Sequence, residues 1–268
     1  MLTQMTVVVG AVVVLAAVAI AAVLVFGRRG RAQPSAPQPQ QSRQALVQQA
    51  QSSLAQAADA ERCRPYAALF DRLAPPLQKL LGLAALPPQS QPWATPAACK
   101  DLFDDAVARE IGYALSACKA QVRGGKLVLP LPTPAPQPAL QDWSEDRLRT
   151  AIDDSRRTIE GCQVLVQQQN VCQALTPALQ AAADLAQKPA YDWDAVRALA
   201  GQVQAALEQN GIYPLFFDDP RLQGETGLRA RFARVSALQL VYPGLYWQQD
   251  GRWEQFGIHT GTCKEDNA

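Results

Sequence analysis

An uninterrupted apolar run, Val7 to Phe26, is closed by Gly27-Arg28-Arg29-Gly30-Arg31. No other stretch constrains the chain as strongly. A helix rises about 1.5 Å per residue, so this run covers about 30 Å, the hydrocarbon thickness of a bilayer. A segment apolar on every face has no polar side to show to water, which argues against a core helix of a soluble protein. A cleaved signal peptide would carry basic residues ahead of its apolar core, and Met1 to Thr6 has none. Ala19-Ile20-Ala21 has the small-x-small form of a cleavage site, yet apolar residues run on through Phe26. The expectation is a short tail over 1–5, a single transmembrane helix over 6–27 and a basic, Pro/Gln-rich linker over 28–42.

Two signals compete over which side of the membrane holds the rest. Arg28, Arg29 and Arg31 directly follow the span, and the positive-inside rule keeps such a cluster in the cytoplasm. Six cysteines, Cys63, Cys99, Cys118, Cys162, Cys172 and Cys263, suit three disulfides in an oxidising compartment. Cys118 continues an apolar stripe with Ile111 and Leu115, and Cys162 one with Leu148, Ile152 and Ile159. Buried free thiols and disulfides between packed helices both fit that spacing. Flanking charge acts directly on insertion, so the cytoplasmic side is favoured over the periplasmic one. The Ala/Gln/Pro-rich style is that of a bacterial inner-membrane protein.

Beyond the linker the pattern is helical to about residue 210. Leu46, Ala50, Leu54 and Ala57 make a thin stripe, expected to be exposed or paired with another chain. Leu69, Phe70, Leu73, Leu77 and Leu80 make a stronger one, which Pro75-Pro76 is expected to kink or split. Pro87 to Pro92 reads as a loop. Thr95-Pro96 starts a helix expected to run to about Val122, ended by Gly124-Gly125. Leu127 to Leu129 reads as a short strand. Ser144 caps a helix with Leu148, Ile152, Ser155, Ile159, Cys162 and Val166 on one face. Glu145 with Arg149 and Asp153 with Arg157 form outward i,i+4 pairs. About three heptads favour one helix of a bundle over a coiled coil. Thr176-Pro177 and Asp192 start two further helices, the second ending at Asn210-Gly211.

From Ile212 the period becomes two. Ile212 to Phe217 and Ala237 to Tyr242 read as strands, and Pro243-Gly244 as a type II turn. Leu245 to Gln249 and Arg252 to Ile258 flank Asp250-Gly251 as a hairpin. In that register Leu245, Trp247 and Phe256 share one side, with Tyr246 and Trp253 on the other. The expected fold class is mainly α (α+β): a helical-bundle-like domain over 43–210 and a small C-terminal β-hairpin element over 211–268.

Chemical signals are sparse. Net charge is +1, so no global field draws nucleic acid. His259 and Cys263 together offer two ligands where zinc takes three or four. Asp218-Asp219 precede Pro220, where a turn or capping role outweighs acid/base work because adjacent strand residues point apart. Arg229, Arg231 and Arg234 form a basic run whose default is a solvated face. Tyr246, Trp247 and Trp253 are partner-binding candidates if one side of the hairpin is uncovered. The expected function is a membrane-tethered interaction module, an adaptor, scaffold or assembly factor. It has the bilayer and other proteins as partners, no cofactor, metal or small-molecule substrate, and no catalysis. The alternatives are an extracytoplasmic disulfide-stapled envelope factor and a membrane-anchored enzyme using His259 or Asp218 and Asp219.

Overall fold

The computed structural model describes residues 43–86, 95–236 and 239–265. The expected tail, span and linker, with Arg28, Arg29 and Arg31, lie outside the described residues, as does the loop over 87–92. Among the described residues no helix is long and apolar enough to cross a membrane. They are mainly helical with a small β element. In chain order the helices are α1 (Arg43–Glu61), α2 (Arg64–Ala85), α3 (Pro96–Phe103), a π-helical turn (Asp104–Ala108) and α4 (Arg109–Ala117). The hairpin strands β1 (Gln121–Arg123) and β2 (Lys126–Val128) come next. Helices α5 (Glu145–Gly161), α6 (Gln163–Ala174), α7 (Thr176–Ala186) and α8 (Trp193–Gln209) complete the bundle. The β element has β3 (Ile212–Leu215), a 3-10 turn (Pro220–Leu222), the short helix α9 (Thr226–Arg229), β4 (Ala233–Val235), β5 (Gly244–Gln249), β6 (Arg252–Gln255) and β7 (Thr262–Lys264).

The thin stripe of α1 is covered within the chain rather than by another one. The Arg43 guanidinium donates to the carbonyls of Gln141 (2.8 Å) and Trp143 (3.0 Å), just ahead of α5. The two helices therefore start at the same end and lie side by side. Leu46 and Ala50 pack with Leu140, Leu148 and Ile152. Alanine on α1 admits a close approach, so a sparse stripe suffices when the partner supplies the larger side chains.

Ser144 caps α5, its Oγ accepting from the Arg147 amide at 3.3 Å. The stripe expected to continue through Cys162 to Val166 is broken, because Cys162 (φ −96°, ψ 3°) turns the chain into α6. Glu145 and Arg149 pair at 3.2 Å, but Asp153 meets Arg156 and Asp154 meets Arg157. The i,i+3 geometry is equally within reach on a helix surface.

Pro75-Pro76 do not split α2. They remove two amide donors, at a cost of roughly 3 kcal/mol each in a helix interior. Leu69, Phe70, Leu73, Leu77 and Leu80 are all buried on the same helix. At about 1.5–3 kcal/mol per buried side chain they outweigh that cost. The Thr95 cap forms as expected, Oγ1 accepting from the Ala98 amide at 3.2 Å. The helix it starts stops at Ala117, well short of Val122, and Lys119 leaves it with φ 52°. Gly124-Gly125 (φ 56° and 73°) then forms the turn between antiparallel β1 and β2 rather than a helix end. Both positions need positive φ, which glycine adopts without steric cost.

In the β element β3, β5 and β6 form an antiparallel sheet. The Asp250-Gly251 hairpin holds its expected register, Gln249 opposite Arg252 and Trp247 opposite Glu254. The strand expected over 237–242 is absent at 239–242, and 237–238 lie outside the described residues. Its place is taken by β4, which pairs in parallel with β7. Pro243-Gly244 is not a type II turn, since Gly244 opens β5 without positive φ. A Cβ at Gly244 would meet the Tyr246 ring at 2.8 Å and the Gly261 amide nitrogen at 3.0 Å. Close approach, not backbone conformation, calls for glycine there.

Candidate functional site

Helix α2 carries the β element through three buried polar and aromatic contacts. His259 is 5% exposed, and its Nε2 lies 3.1 Å from Asp71 Oδ1. Phe70 meets both Phe256 and His259 edge-on at 5.5 Å. Two turns along, the buried Gln78 amide donates to the carbonyls of Pro243 (2.7 Å) and Thr260 (3.0 Å). Burial pushes the His259 pKa down, against the opposing pull of the Asp71 hydrogen bond. The neutral ring therefore donates its Nε2 proton to the Asp71 carboxylate. Nothing in the sequence near Asp71 announces this pair, which joins residues 188 positions apart.

The pair makes stability depend on pH in a stated direction. Above about 6.5, the ordinary histidine value, folded and unfolded chains both hold the ring neutral. As pH falls through that value, the unfolded chain takes up a proton that the folded chain resists. Stability is thus full above the unfolded pKa and declines below it, with a slope no steeper than about 1.4 kcal/mol per pH unit for one proton. Urea titrations between pH 5 and pH 8 should show this decline, and His259→Gln should flatten it.

Cys263 does not join His259: no hydrogen bond or ion pair links them among the described residues. It sits in a second small core with Leu215, Leu222, Leu228, Phe232 and Tyr246. All six cysteines are free thiols, five buried and Cys118 half-buried. Burial raises the pKa of Cys63, Cys99, Cys118 and, most strongly, Cys172. The thiolate is the nucleophilic form, so these four are poorly set for thiol chemistry. Among the described residues no cluster of three or more His, Cys, Asp or Glu side chains could hold a metal ion.

Asp218 and Asp219 point to different work. Asp219 Oδ1 accepts from the Arg221 amide at 2.9 Å, and its two oxygens take the Arg221 guanidinium at 2.9 and 2.8 Å. Those hydrogen bonds to Arg221 hold its carboxyl below the usual aspartate range. Asp218 instead lines a cleft of about 350 Å³ with Phe216, Phe217, Cys263 and Lys264. The two carboxylates form no acid/base dyad.

The aromatic hairpin is covered on both faces. Leu245, Phe256 and half-buried Trp247 pack on the helices, with Trp247 and Phe256 edge-on at 5.3 Å. Tyr246 is fully buried on the opposite face, and Trp253 meets Tyr213 at 5.3 Å. The chain between Arg221 and Phe232 supplies Leu222, Leu228 and Phe232 to cover that face, which removes Tyr246 from any solvent-facing patch. The Tyr246 hydroxyl is buried without a partner, and burial pushes its pKa up to about 12. An orphaned buried hydroxyl costs about 1–3 kcal/mol. Tyr246→Phe is therefore expected to be neutral or stabilising by about 1 kcal/mol in chemical denaturation, whereas Tyr246→Ala opens a cavity.

Two features lie apart from the expected site residues. The π-helical turn places Asp104 where it accepts from Lys100 (2.6 Å) and from the Tyr191 hydroxyl (2.9 Å). Burial, reinforced by that hydrogen bond, holds the Tyr191 hydroxyl protonated well above the usual tyrosine range. This cluster ties α3 to the chain ahead of α8. The second is a surface. Val128 and Leu131 line a cleft of about 640 Å³ with Tyr66, Leu129, Gln169 and Gln173. They remain 45% and 37% exposed. Pro130 to Ala139 continues from it as an exposed segment with proline at every second position from 130 to 138.

Comparison with family models, with curated proteins and with solved structures finds no match to this chain.

Proposed function

We propose that the chain is a membrane-tethered protein-interaction module, an adaptor, scaffold or assembly factor with no catalysis of its own. The observation that carries this reading is the apolar surface of Val128 and Leu131, continuous with the proline segment. Proline locks φ and pushes the preceding residue into extended backbone, so the segment is stiff without hydrogen bonds to the domain. Buried Leu129 and Leu140 fix its two ends. A stiff segment gives up little entropy when a partner docks on it. The span over 6–27 supplies the tether, and Arg28, Arg29 and Arg31 place the domain on the cytoplasmic side of a bacterial inner membrane. The bilayer and other proteins are the partners, and no nucleic acid, cofactor or substrate enters this reading.

A photoreactive residue at Leu131 of the full chain, in its own membrane, tests the surface. The expected result is a discrete protein adduct, lost on Val128→Asp with the far-UV circular dichroism unchanged. No adduct, or one indifferent to Val128→Asp, would sink the proposal. The side of the membrane needs a reporter thiol, since the native ones are largely buried. Ile258 is 81% exposed. Ile258→Cys should react with a membrane-impermeant maleimide only after lysis, and labelling of intact cells overturns the cytoplasmic placement.

A further inference from the structure

We propose that the β element contains a phosphate-binding cleft formed by Arg229 and Arg234. The Arg229 guanidinium lies over the Phe217 ring at 5.3 Å, and Phe217 meets Phe232 edge-on at 5.5 Å. Arg234 stands in β4 opposite Cys263 of β7. With Thr226 and Ala230 these residues enclose a cleft of about 230 Å³.

Among the described residues the two arginines of this cleft have no ion-pair partner, whereas neighbouring Arg221 is held by Asp219 at 2.8 Å. Glu225, four residues ahead of Arg229 and at the spacing of an ordinary helical ion pair, makes none with it. The Nε of Arg229 is moreover buried without any acceptor. Burying a donor in that state is costly, and it leaves this guanidinium short of acceptors. A solvated basic face would leave every guanidinium nitrogen in water, and this one is not.

The shape of the site selects the ligand class. Its volume is below the roughly 300–1,000 Å³ of sites for drug-sized molecules, so it admits a small group. Two guanidinium forks and the Thr226 hydroxyl supply more donors than a planar carboxylate uses and match the oxygens of a phosphate. The Phe217 and Phe232 rings lower the local dielectric, where such contacts gain strength. The phosphate belongs either to a soluble phosphate compound or to a phospholipid headgroup.

Titration of the detergent-solubilised full chain with inorganic phosphate, at constant ionic strength set with chloride, tests this by side-chain NMR of the arginines. Binding is expected to saturate. Each charge-assisted contact is worth a factor of about ten or more, so Arg234→Gln and Arg229→Ala should each weaken binding by at least that much. Arg234 is exposed on a short strand, so its replacement leaves the fold intact even if Arg229→Ala does not. Shifts that never saturate, or an affinity unchanged in Arg234→Gln, overturn the proposal. Reconstitution in phosphatidylcholine vesicles then separates the sources. Added phosphatidylglycerol that competes with inorganic phosphate assigns a headgroup, and an unchanged affinity assigns a soluble compound.

Discussion

Gly261→Ala is expected to loosen the β element where β4, β5 and β7 meet. A Cβ at that position would fall on the Gly244 amide nitrogen, 2.5 Å from the Phe232 ring and 2.8 Å from the Pro243 carbonyl carbon. Two of these three are backbone, which cannot swing aside as a side chain does. The same few residues carry the amide bonds from Leu245 to His259 (3.1 Å), Ala233 to Gly261 (3.0 Å) and Thr262 to Tyr242 (2.9 Å). Any shift that admits the methyl strains all three. Overpacking commonly costs 1–3 kcal/mol, and with backbone on two sides the loss should be about 3 kcal/mol or more. The check is the urea midpoint together with amide exchange at Leu245 and Thr262. Gly201→Ala is the control, because nothing lies within 4 Å of its Cβ in the middle of α8. There alanine should stabilise by about 0.5–1 kcal/mol. The same chemical change thus has opposite signs at two glycines.

Phe70→Ala should have the largest effect of any core truncation tied to the inter-element joint. Phe70 is fully buried on α2 and holds Phe256 and His259 edge-on. Removing the ring leaves a cavity between the bundle and the sheet and costs about 3–5 kcal/mol. It also frees the imidazole that donates to Asp71, so the pH dependence attributed to His259 should weaken in the same variant. Trp247 also packs edge-on against Phe256. Its near-ultraviolet circular dichroism should therefore change together with the denaturation midpoint. An unaltered tryptophan signal would mean that the joint does not run through Phe70.

Local chemistry made much of the helical frame legible. Thr95, Ser144 and Asp192 each cap a helix where a short polar side chain precedes a periodic run. The Asp250-Gly251 turn fixed hairpin register, and register alone assigned Leu245 and Phe256 to one side and Tyr246 to the other. The failures share a cause. Gly124-Gly125 suits a helix end and a hairpin turn alike, and the choice lay with the packing of Leu127 beneath it. Pro75-Pro76 suit a kink or a break alike, and the burial of five large side chains keeps the helix unbroken across them. The basic run over Arg229 to Arg234 hid the apolar residues that cover the second face of the hairpin.

What this chain determined from its residues alone is where helices begin, which faces are apolar and where the period turns from helix to strand. Those properties depend on neighbours within a turn or two, which the order of residues specifies directly. Only the tertiary structure decided that α1 pairs with α5, that Asp71 receives His259 and that β4 lies beside β7. Each of these joins segments far apart in sequence, through residue types that many other placements would satisfy equally well. Their selection rests on the packing of the whole domain, and no local pattern encodes it.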